Sequence, residues 1–432
     1  MKKRTLLGLM AATPLAMLTG CGSGDDSGTS RVRLLNASRG YGSLDLYVDD
    51  SKVSSATAFG TLSSYASIDD GSPEVVLRSA GSSTKLSTNS SIAFSSDVDY
   101  TVVAYGWSGS VSSAVIAHDE DTPDSGEVSL SILNTAYDAG LLDVYLSAED
   151  EALDDLVPYE EAMRVKHAAA QTLDKGTYRL RVTKYGDKSD LRLDVSGITL
   201  ADKSISTLVL VPAGEGAALV SALLVPHGGN TVTALANTQA RVRAAVTVSD
   251  GAKVSLSLGG ESLVSALKSS TIDVYQLVNA GTYTLTTTVD GTTLATQSVT
   301  LAAGTDTTLL VTGANAADAA VTVLSDDNRV SQATNRYRIR VVHAASSIAD
   351  EAVTLKVSGS TVVTNQAYRS ASAYSTKTSG TSLTVSIESQ SFDVYNSDDE
   401  DIADNSVYTA IVWDKNGALT AEIFQDYEAV FS

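Results

Sequence analysis

The sequence predicts an all-β protein, a tandem array of four small antiparallel β-sandwich domains. Three observations carry that prediction. Short segments alternate apolar and polar residues, which sets one face of a strand on a core and the other in water. Turn pairs such as Asp49-Asp50, Gly259-Gly260 and Ser358-Gly359 interrupt them at close intervals. One pattern of segments also returns four times along the 432 residues, and self-similarity of this kind marks repeated units. Ser, Thr, Val and Tyr are plentiful and prolines number only six, which suits strands.

The chain opens on an address. Lys2, Lys3 and Arg4 form a positive n-region, and Leu6 to Leu18 is an apolar stretch broken only by Gly8, Thr13 and Pro14. It is shorter than the ~20 apolar residues of a membrane-spanning helix and has the layout of an export signal. Leu18-Thr19-Gly20-Cys21 then resembles a bacterial lipobox, in which small residues precede a cysteine that takes a diacylglycerol before cleavage frees its amine. Cys21 is the single cysteine, so the chain has no intramolecular disulfide framework and no cysteine-rich metal site. Each buried acyl methylene contributes about 0.8 kcal/mol of membrane affinity, and two or more chains hold stably where one holds marginally. An acylated Cys21 is therefore a lasting anchor. Residues 22–30, rich in Gly, Ser and Asp, read as a flexible tether. Gram-negative lipoproteins kept at the inner membrane carry Asp directly after the cysteine; Gly22 stands there instead, which points to the outer membrane.

The four units follow. The first strand of each is Arg31-Val32-Arg33-Leu34-Leu35-Asn36, Leu130-Ser131-Ile132-Leu133-Asn134, Arg241-Val242-Arg243-Ala244-Ala245-Val246 and Arg338-Ile339-Arg340-Val341-Val342-His343. A second alternating segment begins at Leu44, Leu142, Val254 and Val353, eight residues past the anchor position in three units and ten in the fourth. Two units carry Gly-Thr-Tyr entering a further strand, at Gly176 and Gly281. A late strand closes each unit, starting at Tyr100, Thr207, Thr308 and Tyr408. The second unit is the longest, and its excess lies in Ser147 to Met163, where Ala152, Leu153 and Leu156 have helical spacing behind Ser147 as cap and ahead of Pro158 as stop. The expected division is a signal at 1–20, acylated cysteine and tether at 21–30, and sandwiches at 31–124, 125–236 (with the short helical insertion), 237–332 and 333–432. Each sandwich having its own core, the array is expected to be rod-like or bent and to extend rather than collapse.

Val-x-Leu-Leu-Asn-Ala-Ser, then Leu-Asp-Leu-Tyr-Val, then an acidic turn into Tyr-Thr-Val-Val-Ala-Tyr-Gly resembles the bacterial domain of unknown function numbered 4397. The resemblance covers nearly all of the chain past the tether and is clearest in the first, second and fourth units. The third departs most, with Val246 at the Asn/His position and no tyrosine in its second strand. It implies Ig-like or transthyretin-like sandwiches in tandem, as found in secreted proteins and lipoproteins, and supplies no catalytic residues.

Composition narrows function further. Fifty-one acidic against 30 basic side chains give a formal charge of -21, a field that repels nucleic-acid phosphates. No Gly-x-Ser-x-Gly elbow, Walker loop or His-Glu-x-x-His is present, so an enzyme is not expected. His118, His167, His227 and His343 lack metal-ligand spacing, and His343 reads as a strand-end partner. Calcium is the one cofactor the chain suggests, at the interdomain carboxylates Asp119, Asp121 and Asp124, although charge runs are more often solvated turns. Tyr105 and Trp413, at equivalent positions of late strands, and Trp107 are the candidate ligand-binding aromatics. The expected function is a non-enzymatic, lipid-anchored envelope protein that presents its sandwiches for binding or spacing. The alternative is an envelope lipoprotein that captures carbohydrate or another substrate through those rings.

Overall fold

The computed structural model describes residues 28–249, 251–379, 383–387, 393–397 and 402–431. Leu18, Thr19, Gly20 and Cys21, and the acidic run Asp398 to Asp401, lie outside the described residues. Apart from three single 3₁₀ turns, the described elements are all strands, closing into eight sheets, two per unit. In unit 1 the first sheet orders Ala66–Asp69, Thr29–Asn36, Asp99–Trp107 and Ser110–His118; the second orders Ser51–Ala58, Ser43–Val48, Val75–Ser79 and Lys85–Asn89. The other units repeat this plan, with first strands Glu127–Asn134, Gln239–Val248 and Arg336–His343 and late strands Ile205–Pro212, Asp306–Gly313 and Ser406–Lys415.

The fold class is that of the sequence, with one refinement. In every unit the first and late strands pair in parallel, in the registers Arg33↔Thr101, Ser131↔Thr207, Arg243↔Thr308 and Arg340↔Thr409. Parallel neighbours need a long crossover, and here the crossover is the whole second sheet.

Residues Val32, Leu34, Leu44, Leu46, Val75, Leu77 and Val102 form the core of unit 1. The equivalent positions form separate cores in units 2, 3 and 4. Strand ends are tied off locally. Asn36 Nδ2 donates to the Thr57 carbonyl at 3.0 Å while its Oδ1 accepts from the Ser38 N–H, and Asn134 does the same with Met163 and Ala136. The Gly-Thr-Tyr tyrosines reach back four residues, Tyr178 to the Asp174 carbonyl and Tyr283 to the Asn279 carbonyl, both at 2.6 Å.

Two expectations are corrected. The insertion of unit 2 is not an α-helix: it holds a single 3₁₀ turn, Leu153–Asp155, none of whose residues is buried, and Leu156 is already extended. An amphipathic helix is held mainly by tertiary packing of its apolar face, and this segment lies on the surface with no core to receive Leu153 and Leu156.

The array is also not an extended rod. First and late strands are buried on both faces, Asp306–Gly313 along its whole length, because the outer face of each first sheet packs on another unit. Leu35, Val103 and Ile116 of unit 1 meet Leu133, Val209, Leu223 and Val225 of unit 2. Ala245, Leu310 and Leu324 of unit 3 meet Val342, Ile411 and Trp413 of unit 4. A third apolar contact joins Ala217 and Ala218 of unit 2 to Val407, Tyr427 and Ala429 of unit 4. Each fully buried aliphatic side chain contributes about 1.5–3 kcal/mol over its exposed state, so such faces do not stay open in water. Between units 2 and 3 the backbones themselves touch: a Cβ on Gly304, whose φ is +75°, would sit 2.4 Å from the Ala213 carbonyl carbon.

Candidate functional site

The aromatic side chains singled out in the sequence are occupied within the protein. Trp413 is 1% exposed, sits in the contact between units 3 and 4, and meets Phe424 edge-on at 5.4 Å. Tyr105 packs against the contact between units 1 and 2. Trp107 donates its indole N–H to the Asp138 carboxylate, and the Arg329 guanidinium lies 4.5 Å from its ring centroid. Trp413, buried between units 3 and 4, is therefore not offered to a ligand, whereas Tyr105 and Trp107 are half-buried, and Trp107 lines an open cleft with Arg329 and Arg338. The calcium candidates lie at the surface of the link between units 1 and 2. Asp119, Asp121 and Asp124 are exposed, and among the described residues no three His, Cys, Asp or Glu side chains converge as metal ligands.

A repeated polar constellation, which sequence reasoning missed, occupies the faces between units. On the first strand an arginine donates its Nε–H to a late-strand threonine at 2.9 Å: Arg33 to Thr101, Arg243 to Thr308, Arg340 to Thr409. Its guanidinium lies over a tyrosine, at 4.6 Å for Tyr65, 4.4 Å for Tyr275 and 4.7 Å for Tyr374. The threonine meets a closing-strand residue, His118 in unit 1, Asp326 in unit 3 and Asp426 in unit 4. Unit 2 keeps the plan with smaller parts, Ser131 for arginine, Thr207 and His227.

Units 3 and 4 face each other with this constellation and exchange partners. Arg243 of unit 3 donates to Asp426 of unit 4, and Arg340 of unit 4 donates to Asp326 of unit 3. The same patch on both partners is the geometry of a two-fold pair. Both arginines and both carboxylates are almost fully buried. Burial pushes the Asp326 carboxyl up, but Arg340 and Arg243 beside it more than offset that and hold it below its ordinary range. Asp306, paired with Arg241, is raised instead, burial outweighing its single arginine.

Units 1 and 2 use the same faces with different chemistry. The rings of His118 and His227 stack at 4.0 Å between centroids. His227 Nδ1 lies 3.1 Å from Glu120, and Arg33 reaches across to the carbonyls of Pro226 and Gly229. His167 meets Ser131 at 3.0 Å, so three of the four histidines gather here. Burial, with His227 and Arg33 adding to it, takes His118 down to about 3.

A third polar centre joins the pairs. Asp138, on the turn Tyr137–Ala139, accepts from the Trp107 indole of unit 1 and from the Val330 N–H of the segment between units 3 and 4. Its backbone carbonyl accepts from the Tyr427 hydroxyl of unit 4 at 2.8 Å. Burial lifts its carboxyl to about 6.

The sandwiches and these shared polar faces define a tandem β-sandwich scaffold with its repeats glued face to face. The family described as domain of unknown function (DUF4397) matches residues 30–145 and 240–350, more than half of the chain. The chain belongs to that family. The match corrects the view of unit 3 as the outlying repeat: units 1 and 3 are matched whole, whereas units 2 and 4 are matched only through their first segments. No curated protein matches the sequence. Similar solved structures include the module CBMbc (family CBM26) from Eubacterium rectale Amy13K in complex with maltoheptaose, 11% identical over 48% of this chain and 96% of that one, with a TM-score of 0.15. The Bacillus anthracis TIE protein is 10% identical over 89% of this chain and 68% of that one, with a TM-score of 0.15. A product complex of the pneumococcal glycogen-degrading virulence factor SpuA is 7% identical over 84% of this chain and 37% of that one, with a TM-score of 0.16. At such scores none bears on what this chain binds.

Proposed function

We propose that this protein is a non-enzymatic, lipid-anchored component of the bacterial cell envelope. In this reading, four sandwiches joined into one body present their outward sheets to a partner. The observation that carries the anchoring is Leu18-Thr19-Gly20-Cys21 directly behind a basic and apolar leader, with a unique cysteine at the lipobox position. Gly22 favours the outer membrane as destination. The packing of the units supports a platform rather than a spacer, because interfaces that bury both apolar and charged side chains resist the hinge motions expected of loosely linked domains. The Gly-, Ser- and Asp-rich segment 22–30 would then link the body to the anchor.

Metabolic labelling with a clickable palmitate analogue and membrane fractionation test the anchor. The parent is expected to take the label and sediment with membranes. Cys21→Ser is expected to lose both and appear in the soluble fraction. Retained label in Cys21→Ser overturns the reading.

A further inference from the structure

The two face-to-face pairs of units are built on one geometry but carry different ionisable groups, and that contrast has a consequence. Between units 3 and 4 the closing-strand positions are aspartates, each bonded to an arginine of the opposite unit. Between units 1 and 2 the same positions are His118 and His227, stacked on one another. We propose that the contact between units 1 and 2 is an acid-sensitive joint, which opens when His118, stacked on His227 and held by Thr101, takes up a proton, while the contact between units 3 and 4 stays closed.

The surroundings of the two rings decide the sign. Against His118 lie Tyr65, whose hydroxyl is 3.4 Å from Nδ1, the permanently charged Arg33, and His227. Arg31, over the other side of Tyr65, is paired to Asp99. Against His227 lie Glu120 and, further off, His167. Among the described residues, Glu120 is the carboxylate bonded to the ring pair, on the His227 side, and Asp99, opposite His118 across the strand pair, is held by Arg31. A proton on His118 is opposed by burial, by the His227 ring at 4.0 Å and by Arg33, and these together outweigh the attraction of Glu120. Thr101 and Thr207, which hold the two Nε2 atoms at 3.0 Å, are neutral. A charge on His118 beside Arg33, in a face otherwise lined by Leu35, Val103, Leu133 and Val209, favours separation of the units into water, where the ring is charged freely. The unfolded or separated histidine takes its proton near 6.5, the folded His118 only near 3. Hence the closed joint is fully stable above 6.5 and loses stability as pH falls from there towards 3.

The arginine of unit 1 also suggests the repair. Arg33 occupies the place that Arg243 holds in the other pair, and Arg243 is bonded to Asp426, the equivalent of His227. His227→Asp would give Arg33 the same buried partner.

The test places spin labels on cysteines at the exposed Ser55 of unit 1 and Thr172 of unit 2, in the full chain carrying Cys21→Ser, and reads their distance by pulsed electron resonance from pH 8 to 4. The parent is expected to show one distance at pH 8 and a growing longer-distance population below pH 6. His118→Asn with His227→Asn, and separately His227→Asp, are expected to keep the pH 8 distance at pH 4.5. Circular dichroism on each variant confirms that the sandwiches remain folded, and whichever variant folds decides the matter. A parent distance that does not change down to pH 4, or a folded variant that opens at the parent's pH, overturns the proposal.

Discussion

Removing Arg340 should open the contact between units 3 and 4, and the effect can be sized from its neighbours. The side chain is 2% exposed and its partner Asp326 is fully buried. Arg340→Met keeps the aliphatic length but takes away the donor to Thr409 at 2.9 Å, the donor to the Ser325 carbonyl at 3.2 Å and the charge against Asp326. Asp326 would retain only Thr308 and Tyr275 as donors, with Arg243 nearby. Breaking one side of a buried pair costs about 3–5 kcal/mol, because the surviving charge is left without compensation. The chain supplies its own probe. There are two tryptophans, and Trp413 lies inside this contact, so Trp107→Phe leaves a single indole reporting on it. With a urea dependence of roughly 2 kcal/mol per molar, the Trp413 emission midpoint should fall by ~2 M. Adding Asp326→Leu should bring back most of the loss, since replacing both members of a buried pair with apolar groups is often close to neutral. A midpoint unmoved by Arg340→Met, or a double variant worse than the single one, would refute the argument that the pair holds this face shut.

Two further outcomes follow from buried polar groups. Asn134→Ala strips the Met163 carbonyl and the Ala136 N–H of their shared partner, and orphaned buried groups cost about 1–3 kcal/mol each; melting should drop clearly, with Asn134→Asp between the two because it keeps the acceptor only. At Asp138 the folded carboxyl sits near 6 against 3.8 unfolded, so the native state holds an extra proton between those values. Its contribution is fully present below 3.8 and lost as pH rises through 6. Asp138→Asn should flatten that decline when melting is followed from pH 5 to 7.5, and an unchanged slope would count against the assignment.

Much of the fold was legible in the chain because the repeat fixes it in four independent copies. The anchor Asn36 and Asn134 stand where a strand end needs a donor and an acceptor, and the Gly-Thr-Tyr segments mark strands whose tyrosines tie back to the turn before them. The packing of units on one another was less legible, yet a signal was present. Thr207 to Val211 and Thr308 to Val311 are near-continuous apolar runs, and such runs belong to strands buried on both faces rather than one. Read that way, Trp413 becomes an interface residue, with Tyr105 packed at the edge of another interface. Arg33, Arg243 and Arg340 alternate with apolar residues and look solvent-facing. Only the position of the opposite unit, which no local period encodes, shows that they are buried. The helix expected after Ser147 failed for a related reason: Leu153 and Leu156 have the spacing, but nothing lies opposite to pack on them.

The parallel pairing of first and late strands also sets a timetable for assembly. Residues bonded across that pair are 68 positions apart in unit 1, 76 in unit 2, 65 in unit 3 and 69 in unit 4. An exported chain emerges across the membrane from its N-terminus, so the first strand of every unit must wait for the entire second sheet to appear before its parallel neighbour arrives. Long-range pairing of this kind folds slowly and leaves strand edges open meanwhile. Each repeat is thus delivered as an all-or-nothing parcel of about seventy residues, and a chain halted inside one would leave its opening strand stranded beside a finished predecessor.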